Sequence, residues 1–478
     1  MEKPYCACAT PPGTSGIAVI RMAGEGSTAI MDRVFRIRRA ADDAKSVTDM
    51  RGYTVAYGVL VDPTSETIVD EVMVTRFCAP HSYTGEESVE ISCHGGTTVR
   101  QEILRVLQEN GARMAGPGEF TKRAFLAGKL DLSQAEAVMD VISADSDLAL
   151  RAAQSQLQGS LRNEIRSISE SLYEALAVME MWVDEPDDED AQQALHDNAD
   201  KISRIRTQIQ ALADTYRQGR MLKERMRVVI CGVPNSGKSS LLNRLSGYER
   251  AIVTDTPGTT RDTLEVQTSI LGVPVTLIDT AGIRETSDRI EAMGVVRAND
   301  AMEQADLVFW LVYPDEQDVV LQASMIDRLM KLRPDVRIGL LMSKSDLVDE
   351  SEAQKEIDKL EALILEKGYS RKLDFVERIS ASNGDGISEM EAFIRSSYDE
   401  MGSNTSQGML LTNQRHYEIL VTVMEKLEEV VKLCKNGESL EAPSLVLRTA
   451  MEELGEITGD SVSDKLVDTI FSRFCVGK

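Results

Sequence analysis

The pattern of hydrophobic and polar positions changes several times along the 478 residues. Residues 17–22, 53–61 and 68–78 alternate or run apolar, with Val, Ile, Tyr and Thr, which is typical of strands. Residues 97–111 (TTVRQEILRVLQENG) repeat apolar positions at helical spacing and end on a glycine, which predicts a helix. The N-terminal part is therefore expected to be a small α/β region.

The pattern becomes helical from about Ser133 to Trp182, where Ala, Leu, Gln and Glu dominate. An acidic stretch that contains a proline, DEPDDED at 184–190, interrupts it and is interpreted as a solvated loop. A further helix is predicted from about Asp197 to Leu222.

Apolar strands then alternate with amphipathic helices from Arg227 to about Ser397, which predicts a doubly wound sheet. A linker of small polar residues follows at 402–408, and helical sequence resumes at Thr412. Because helical sequence flanks the α/β block on both sides, we predict a helical domain into which this block is inserted. The predicted domain boundaries are 1–127, 128–222, 223–399 and 400–478.

Composition narrows the class of protein. A hydrophobic content of 42% and a charged content of 27% are ordinary for a globular protein of several domains. Seven scattered cysteines favour a reducing compartment, and the Cys6–Ala7–Cys8 pair lacks the spacing of a zinc site. The N-terminus has no apolar export core, and no apolar run reaches the ~18 residues of a membrane span. We expect a cytoplasmic protein without a membrane segment.

The net charge of −25 restricts any role with nucleic acid. Electrostatic attraction to RNA or DNA requires Lys and Arg that face the phosphates. A nucleic-acid function must therefore use a local basic patch or a basic partner protein.

A phosphate-binding loop follows the apolar stretch RVVICG. Gly232 and Gly237 allow backbone N–H groups to wrap phosphates, Lys238 can reach the β and γ oxygens, and the Ser239 hydroxyl suits Mg²⁺. The order strand, loop, helix argues against a glycine-rich turn without a ligand. The candidate nucleotide contacts here are Asn235, Ser236, Gly237, Lys238, Ser239 and Ser240.

Two further segments match the surroundings of Mg²⁺ and the γ-phosphate in a GTPase. PGTTRD (257–262) offers Thr259 or Thr260 as a second Mg²⁺ ligand, and DTAG (279–282) follows a strand. Ile283 stands where Ras-type switches carry a glutamine that orients water, so the nucleophile must be positioned differently. The candidate contacts in the second segment are Asp279, Thr280, Ala281 and Gly282.

The base-binding segment predicts guanine. In LMSKSD (341–346), Asp346 can accept two hydrogen bonds from guanine N1–H and N2–H₂, a donor pair that adenine lacks. Ser343 stands where a GTPase expects asparagine, which shortens the side chain that should touch the base. ISAS (379–382) supplies the last loop. The candidate base contacts are Ser343, Lys344, Asp346, Ser380, Ala381 and Ser382.

With motifs elsewhere in the chain, these segments resemble the MnmE (TrmE) family of tRNA-modification GTPases over the whole length. The phosphate loop alone fits dozens of GTPases, whereas the segment at 117–137 and the C-terminal tail narrow the choice. The motifs are ATPPG (9–13) with Arg21, YTGEESVEISCHGG (83–96), PGEFTKRAFLAGKLDLSQAEA (117–137), GVPNSGKSSLLNRL (232–245), VTDTPGTTRD (253–262), DTAGIRE (279–285) and the terminal FCVGK.

The resemblance implies an N-terminal domain that binds a one-carbon folate, 5-formyltetrahydrofolate or methylenetetrahydrofolate, and forms a homodimer. It also implies a FAD-dependent partner, MnmG (GidA), in a heterotetramer-like complex that adds an aminomethyl-type group, such as carboxymethylaminomethyl, at C5 of wobble uridine. FAD belongs to the partner, which also provides most of the tRNA contacts; the amine donor is ammonium or glycine. The positions that match the folate contacts are Arg21, Glu90, Lys129 and Lys478.

The resemblance further implies GTP hydrolysis that depends on K⁺. Ser239 and Thr260 match the Mg²⁺ ligands of the family. Glu291, in SDRIEAMG, matches the acid that orients the hydrolytic water through a second water; its alternative role is a solvated carboxylate on a helix face. The matching K⁺ ligands are Asn235, Thr254, Thr256 and Thr259, of which Thr254 and Thr259 are also candidate nucleotide contacts.

Cys475, the fourth residue from the end of this sequence, allows three interpretations. A prenylation box needs aliphatic residues after the cysteine, and Gly477 and Lys478 fit it poorly. A second interpretation is a buried, unreactive thiol. In the third, the resemblance places Lys478 at the folate, so a Cys475 thiolate could attack C6 of uridine and make C5 nucleophilic.

A ribosome-assembly or signalling GTPase without one-carbon chemistry is the alternative function. Such proteins that resemble Era carry a basic RNA-binding module after the G domain. Here the region after 412 is helical and acidic, as in MEKLEEVV (424–431). Folate binding would separate the two functions.

Overall fold

The computed structural model describes residues 3–182, 189–232, 235–247, 264–279, 302, 304–313, 319–333, 336–366, 373–403, 409–436 and 441–478. The chain forms two compact units. The first unit comprises residues 1–143, 153–211 and 415–478, and the second comprises 144–152 and 212–414.

The first unit contains a seven-stranded sheet in the order β3-β4-β5-β6-β2-β1-β7, antiparallel except for the parallel pair of β1 and β7. Two helices, α1 (Ser27–Val34) and α2 (Thr97–Glu109), pack their apolar residues against one face of this sheet. The other face, called the open face below, exposes Tyr57 on β4 and Met73 on β5, while Phe120 packs on Tyr5, Ala7 and Ala23 at β1 and β2. The strands are β1 (Tyr5–Cys8), β2 (Ser15–Ala23), β3 (Phe35–Ala40), β4 (Thr54–Val61), β5 (Ile68–Phe77), β6 (Ser88–Gly95) and β7 (Arg113–Met114).

Helices make up the rest of the first unit. Their apolar stripes form its helical core, in which α6 packs along α14 and α4 contacts both. A short helix, α3, follows the sheet, and α15 packs on α3 near the C-terminus. The helices that lie wholly or partly in this unit are α3 (Glu119–Leu126), α4 (Leu132–Ser143), α5 (Asp147–Leu157), α6 (Ser160–Met181), α7 (Glu189–Asp214), α13 (Gln414–Lys435), α14 (Glu441–Thr458) and α15 (Asp464–Phe471).

The second unit is a six-stranded sheet in the order β13-β12-β11-β8-β10-β9, in which only β9 runs antiparallel to its neighbour. Apolar clusters lie on both faces of the sheet, as a doubly wound fold requires. The predicted fold class is confirmed. The elements are α8 (Tyr216–Glu224), β8 (Met226–Gly232), α9 (Lys238–Ser246), β9 (Leu264–Ile270), β10 (Val273–Asp279), β11 (Leu307–Val312), α10 (Val319–Leu332), β12 (Arg337–Met342), α11 (Glu350–Glu366), β13 (Phe375–Arg378) and α12 (Ile387–Ser403).

One predicted helix differs in the structure. The helix predicted from Asp197 to Leu222 is two helices that meet at Thr215, whose Oγ1 donates to the Leu212 carbonyl and accepts from Leu411 N. Residues 144–152 and 212–222, assigned above to the helical domain, cluster with the second unit. The domain boundaries themselves stay predictions.

Two predicted loops fall largely outside the described residues, namely 184–190 and 402–408. Among the residues that are described, no helix combines the length and the apolar character that crossing a membrane requires.

A charged cluster inside the first unit joins α4 to α13. Glu136, on α4, accepts from Arg415 through Nε at 3.1 Å and Nη2 at 2.9 Å, and lies 2.7 Å from Nε2 of His416. Arg415 also donates to the Glu456 carbonyl on α14 at 2.8 Å. Burial raises the pKa of Glu136, but attraction to His416 and Arg415 outweighs burial and lowers it to about 2. The cluster therefore ties three helices together through an ionised carboxylate.

Candidate nucleotide and cofactor sites

The phosphate loop leaves the C-terminal end of β8, where ligands bind in doubly wound sheets. Gly232 has φ +143°, and a Cβ there would lie 2.4 Å from the Leu311 carbonyl oxygen, so a larger residue does not fit. The loop ends at Gly237, the residue immediately before α9. The first N–H groups of α9 are therefore available to an anion.

The side chains of this loop provide the remaining contacts for a nucleotide. Lys238 Nζ donates to the Gly232 carbonyl at 2.8 Å, which holds the ammonium over the loop. Ser236 Oγ is buried, and no hydrogen bond reaches it from the described part of the chain. Asn235 and Ser240 are exposed. The loop thus presents a cation and polar oxygens where phosphates would lie.

A hydroxyl and a carboxylate meet beside the loop. Ser239 Oγ donates to Asp279 Oδ2 at 3.3 Å, at the ends of α9 and β10 that face the phosphate loop. Oxygen donors of these two kinds are the ligands that Mg²⁺ takes in proteins. The described residues therefore fit a Mg²⁺ ion bound with a nucleotide.

The base-binding carboxylate is held in place by two serines. Asp346 accepts hydrogen bonds from Ser380 Oγ at 2.7 Å and from Ser382 Oγ at 3.1 Å. The bond from Ser380 lowers the pKa of Asp346, which keeps the carboxylate ionised and accepting. Lys344 Nζ lies 4.2 Å from the centroid of the Tyr313 ring. The predicted base contacts are thus gathered at one edge of the sheet.

Ser343 is buried and turns its hydroxyl away from this edge. Its Oγ donates to the Val312 carbonyl at 3.1 Å, between the ends of β11 and β12. The hydroxyl therefore bonds to a backbone carbonyl of the sheet and does not replace the base contact that an asparagine would make. Arg244, which the sequence analysis missed, donates from α9 to the carbonyls of Ala381 and Ser382 at 2.9 and 3.1 Å. Arg244 thereby joins the phosphate-loop helix to the base loop.

In the first unit, Arg21 and Glu90 form an ion pair on the open face of the sheet. They lie opposite each other on β2 and β6, and Arg21 donates from Nε at 2.9 Å and Nη2 at 2.7 Å to Glu90 Oε1. The Arg21 guanidinium lies 5.3 Å from the ring centroid of Tyr83 and 5.5 Å from that of Phe120. The two aromatic contacts, also missed from the sequence, hold the guanidinium in one orientation.

Lys129 lies at the same loop as Tyr83. Its Nζ donates to the carbonyls of Pro80, at 2.8 Å, and Ser82. The Tyr83 hydroxyl is 3.0 Å from Thr121 Oγ1 on α3. The loop at residues 80–83 thus contacts Lys129 through its carbonyls and Arg21 through the Tyr83 ring.

The C-terminal tail packs on the same α/β region. Val476 forms an isolated bridge with Pro117, and the Lys478 carbonyl accepts from Phe120 N at 3.1 Å. Gly477 has φ +96°, and a Cβ there would lie 2.4 Å from the Cys8 carbonyl oxygen. Phe120 therefore links the tail to the ion pair, because its N–H donates to the Lys478 carbonyl and its ring lies against the Arg21 guanidinium.

Cys475 is exposed on this tail, so the interpretation as a buried thiol is wrong. The Cys475 carbonyl accepts from Gly118 N at 3.3 Å, which fixes the backbone of the tail beside the start of α3. Eight further predicted site residues lie outside the described residues, namely Thr254, Thr256, Thr259, Thr260, Thr280, Ala281, Gly282 and Glu291.

Comparison with known proteins decides the family. The family model described as "MnmE helical domain" matches residues 132–475, and "GTP-binding protein TrmE N-terminus" matches residues 4–129. The chain belongs to the MnmE family of tRNA modification GTPases. The family and the enzyme class predicted from the motifs are thereby confirmed.

Curated MnmE relatives align over nearly their whole length. The tRNA modification GTPase MnmE of Acetivibrio thermocellus is 38% identical over 481 residues, covering 100% of this chain and 99% of the relative. The proteins of the same name from Latilactobacillus sakei and Enterococcus faecalis are both 37% identical, each covering 99% of this chain and 97% of the relative. The likeness to MnmE therefore includes the α/β region, the helices and the G domain.

Proposed function

We propose that this chain couples GTP hydrolysis to one-carbon chemistry on tRNA. With the FAD-dependent partner MnmG (GidA), a homodimer of the chain would use 5-formyltetrahydrofolate or methylenetetrahydrofolate to add an aminomethyl-type group, such as carboxymethylaminomethyl, at C5 of wobble uridine. The folate part is supported by the Arg21–Glu90 pair and by the contacts around it. The Arg21 guanidinium lies against Tyr83 and Phe120, Lys129 holds the loop that carries Tyr83, and the tail accepts a hydrogen bond from Phe120 N. The cytoplasm is the proposed location, since the substrates are GTP and tRNA.

The chemistry of these side chains supports a folate. The pterin ring has an amide-like edge of hydrogen-bond donors, and the Glu90 carboxylate can accept hydrogen bonds from them. The cations Arg21 and Lys129 suit the carboxylates of the ligand. In the structure Glu90 is satisfied by Arg21 instead, so binding would exchange an internal partner for the ligand. Folate supplies the one-carbon unit when bound.

The exposed Cys475 thiol is the proposed nucleophile. Its thiolate would form an S–C6 bond with uridine, and the C5–C6 π electrons would move toward C5 and the C4 carbonyl. C5 would then be nucleophilic toward the one-carbon unit that a folate held by Arg21, Glu90 and Lys129 would supply, and the electron pair of the carbon–nitrogen bond that breaks would pass to the folate nitrogen. Loss of the C5 proton and expulsion of the thiolate would restore the ring and free Cys475.

In the second unit, the phosphate loop and Asp346 support GTP as the nucleotide. Ser239 and Thr260 are the proposed protein ligands of Mg²⁺. Asn235 with Thr254, Thr256 and Thr259 would hold K⁺, which supplies positive charge beside the phosphates. An amide oxygen such as that of Asn235, exposed at the loop, suits a hard cation.

Binding of 5-formyltetrahydrofolate to the full-length protein, measured by calorimetry, tests the folate site. We expect Glu90→Ala to weaken binding at least tenfold, roughly the effect of a lost hydrogen bond to a charged group. Deleting residues 476–478 should weaken it as well, because the tail contacts Phe120 beside the pocket. The control Glu102→Ala removes an exposed carboxylate from α2 and should leave the affinity unchanged.

Wild-type affinity in both the Glu90→Ala and the tail-deleted protein would contradict the folate site. It would favour the alternative of a switch GTPase without one-carbon chemistry.

Ser343→Asn is expected to tighten GDP and GTP equally, by several-fold. The substitution restores a side chain that can reach the base, and a neutral hydrogen bond contributes about 0.5–1.5 kcal/mol. Titration with fluorescent GDP and GTP analogues would measure the gain. Ser396→Asn, at an exposed position of α12 away from the predicted base contacts, is a matched control.

The Ser343→Asn variant should still prefer guanine nucleotides, because Asp346 is the residue proposed to recognise the base. We expect Asp346→Asn to shift the preference from GTP toward xanthosine triphosphate. The carboxylate offers two acceptor oxygens to N1–H and N2–H₂ of guanine, whereas the asparagine amide offers one acceptor and one donor. An Asp346→Asn protein that still prefers GTP would refute the assignment of base recognition.

A further inference from the structure

The charge of the chain is distributed unevenly. Residues 1–130 carry 15 Lys or Arg and 16 Asp or Glu, a net charge of −1. Residues 131–478 carry 38 Lys or Arg and 62 Asp or Glu, a net charge of −24. Because RNA binds where Lys and Arg meet its phosphates, a direct tRNA contact is expected in the first region and disfavoured in the second.

That region has four exposed arginines within seven residues: Arg33 at the end of α1, and Arg36, Arg38 and Arg39 on the edge strand β3. Arg33 and Arg36 donate to backbone carbonyls, of Asn110 and Arg33 respectively. Arg38 alone forms an ion pair, with Glu71 at 2.6 Å. Throughout the described ranges, no carboxylate pairs with Arg33, Arg36 or Arg39. The edge therefore carries an uncompensated positive charge.

A β-bulge directs two of these arginines, Arg38 and Arg39, to the open face of the sheet. Arg39 lies opposite Tyr57 on β4, and the pairing of β3 with β4 shifts between Ile37 and Arg39. Opposed residues project to the same face, so Arg39 shares the face of Tyr57. Arg38 is on this face too, since its partner Glu71 also accepts from the Tyr57 hydroxyl at 2.7 Å. The bulge thus adds an arginine to one face.

This face is continuous with the candidate folate pocket. Tyr57 on β4 lies opposite Met73 on β5, and Met73 lies opposite Ser92 on β6. Glu90 is two residues from Ser92 on the same strand and lies opposite Arg21 on β2. From β3 to β6 the sheet spans three strand spacings, about 14 Å. Tyr57 and Met73 lie between them and are 39% and 51% exposed. An RNA strand held at β3 would have a base within reach of the pocket.

We propose that this open face, with Arg36, Arg38 and Arg39 at its β3 edge, binds the backbone of tRNA beside the wobble uridine. The inference rests on the proposed function, which provides the RNA substrate. Guanidinium groups bind phosphates through paired hydrogen bonds, and unstacked loop bases stack on exposed aromatic rings such as Tyr57. Charges on an edge strand also prevent pairing with other chains, a role that requires no affinity for RNA.

Anisotropy of a labelled anticodon stem–loop, with uridine at the wobble position, tests the surface in the full-length protein over a range of salt concentrations. For Arg36→Gln/Arg39→Gln we expect at least about tenfold weaker binding and a slope of log Kd against log salt smaller by about 2. Tyr57→Leu should weaken binding without changing this slope. The matched control Arg166→Gln/Arg448→Gln removes the same charge from exposed helix positions and should change neither.

Three results would overturn the inference. The first is no binding of the stem–loop by the wild-type protein at low salt. The second is an equal loss in the double variant and its control, since net charge would then explain both. The third is unchanged RNA affinity with an altered sedimentation mass, which would assign the face to a contact between copies of the chain. Stem–loop binding without folate binding would contradict the folate site and leave this surface intact.

Discussion

Replacing Glu136 by alanine is expected to lower the free energy of unfolding of the first unit by about 3–5 kcal/mol, the usual cost of removing one partner from a buried ion pair. The variant leaves the buried His416 ring and the half-buried Arg415 guanidinium without the carboxylate that both contact. Urea unfolding followed by circular dichroism measures the loss. Hydrogen exchange in α4, α13 and α14 should localise it to the three helices that the cluster joins.

Glu428→Ala is the matched control, because Glu428 pairs with Arg206 and Lys432 at the surface of the same unit. Exposed pairs contribute little, so its unfolding curve should nearly overlay that of the wild type. A Glu136→Ala protein as stable as this control would show that the cluster does not hold the helices together.

The same carboxylate predicts how stability depends on pH. The pKa of Glu136 is about 2 in the folded chain, below its ordinary value of 4.5, so its stabilisation is fully present above pH 4.5. It should be lost progressively as pH falls toward 2, because protonation removes the charge that attracts Arg415 and His416. The Glu136→Ala protein should lack this part of the acid dependence.

Much of the second unit could be predicted because its features are local in sequence. The alternation of apolar strands with helices indicates a doubly wound sheet, and the order Gly237, Lys238, Ser239 after a strand indicates a phosphate loop. The positions of Asp346 and Ser380 could be predicted for the same reason. Their hydrogen bond follows from loops that both leave the C-terminal edge of a parallel sheet.

The parts that escaped prediction depend on contacts between segments far apart in the chain. Apolar periodicity in α5 shows that one face is buried, but not that residues 144–152 pack with the second unit. The bridge between Pro117 and Val476 has no local signal either. Arg244 looks like any helix-surface cation until the base loop is placed against it. A role for Lys478 at the folate could be predicted only from the family resemblance, which includes contacts between segments far apart in the sequence.

GTP hydrolysis is expected to be at least about tenfold faster in K⁺ than in Na⁺ at equal ionic strength, and Asn235→Ala should abolish the difference. Ile283 cannot orient water, so charge on the transferred phosphoryl group must be neutralised from elsewhere; an arginine finger contributes 10³–10⁵ in other GTPases. Asn235 is exposed at the phosphate loop beside Ser236 and Lys238, and an amide oxygen suits a hard cation. Phosphate release over time in the two salts measures the effect.

Two further variants distinguish loss of the proposed K⁺ site from a general loss of activity. Asn243→Ala changes the same residue type at an exposed position of α9 and should retain K⁺ stimulation. Glu291→Ala should lower kcat while sparing nucleotide affinity, because its proposed role is to orient the hydrolytic water. Equal rates in K⁺ and Na⁺ for the wild type would rule out the cation mechanism. A fully active Glu291→Ala protein would return that carboxylate to the role of a solvated surface residue.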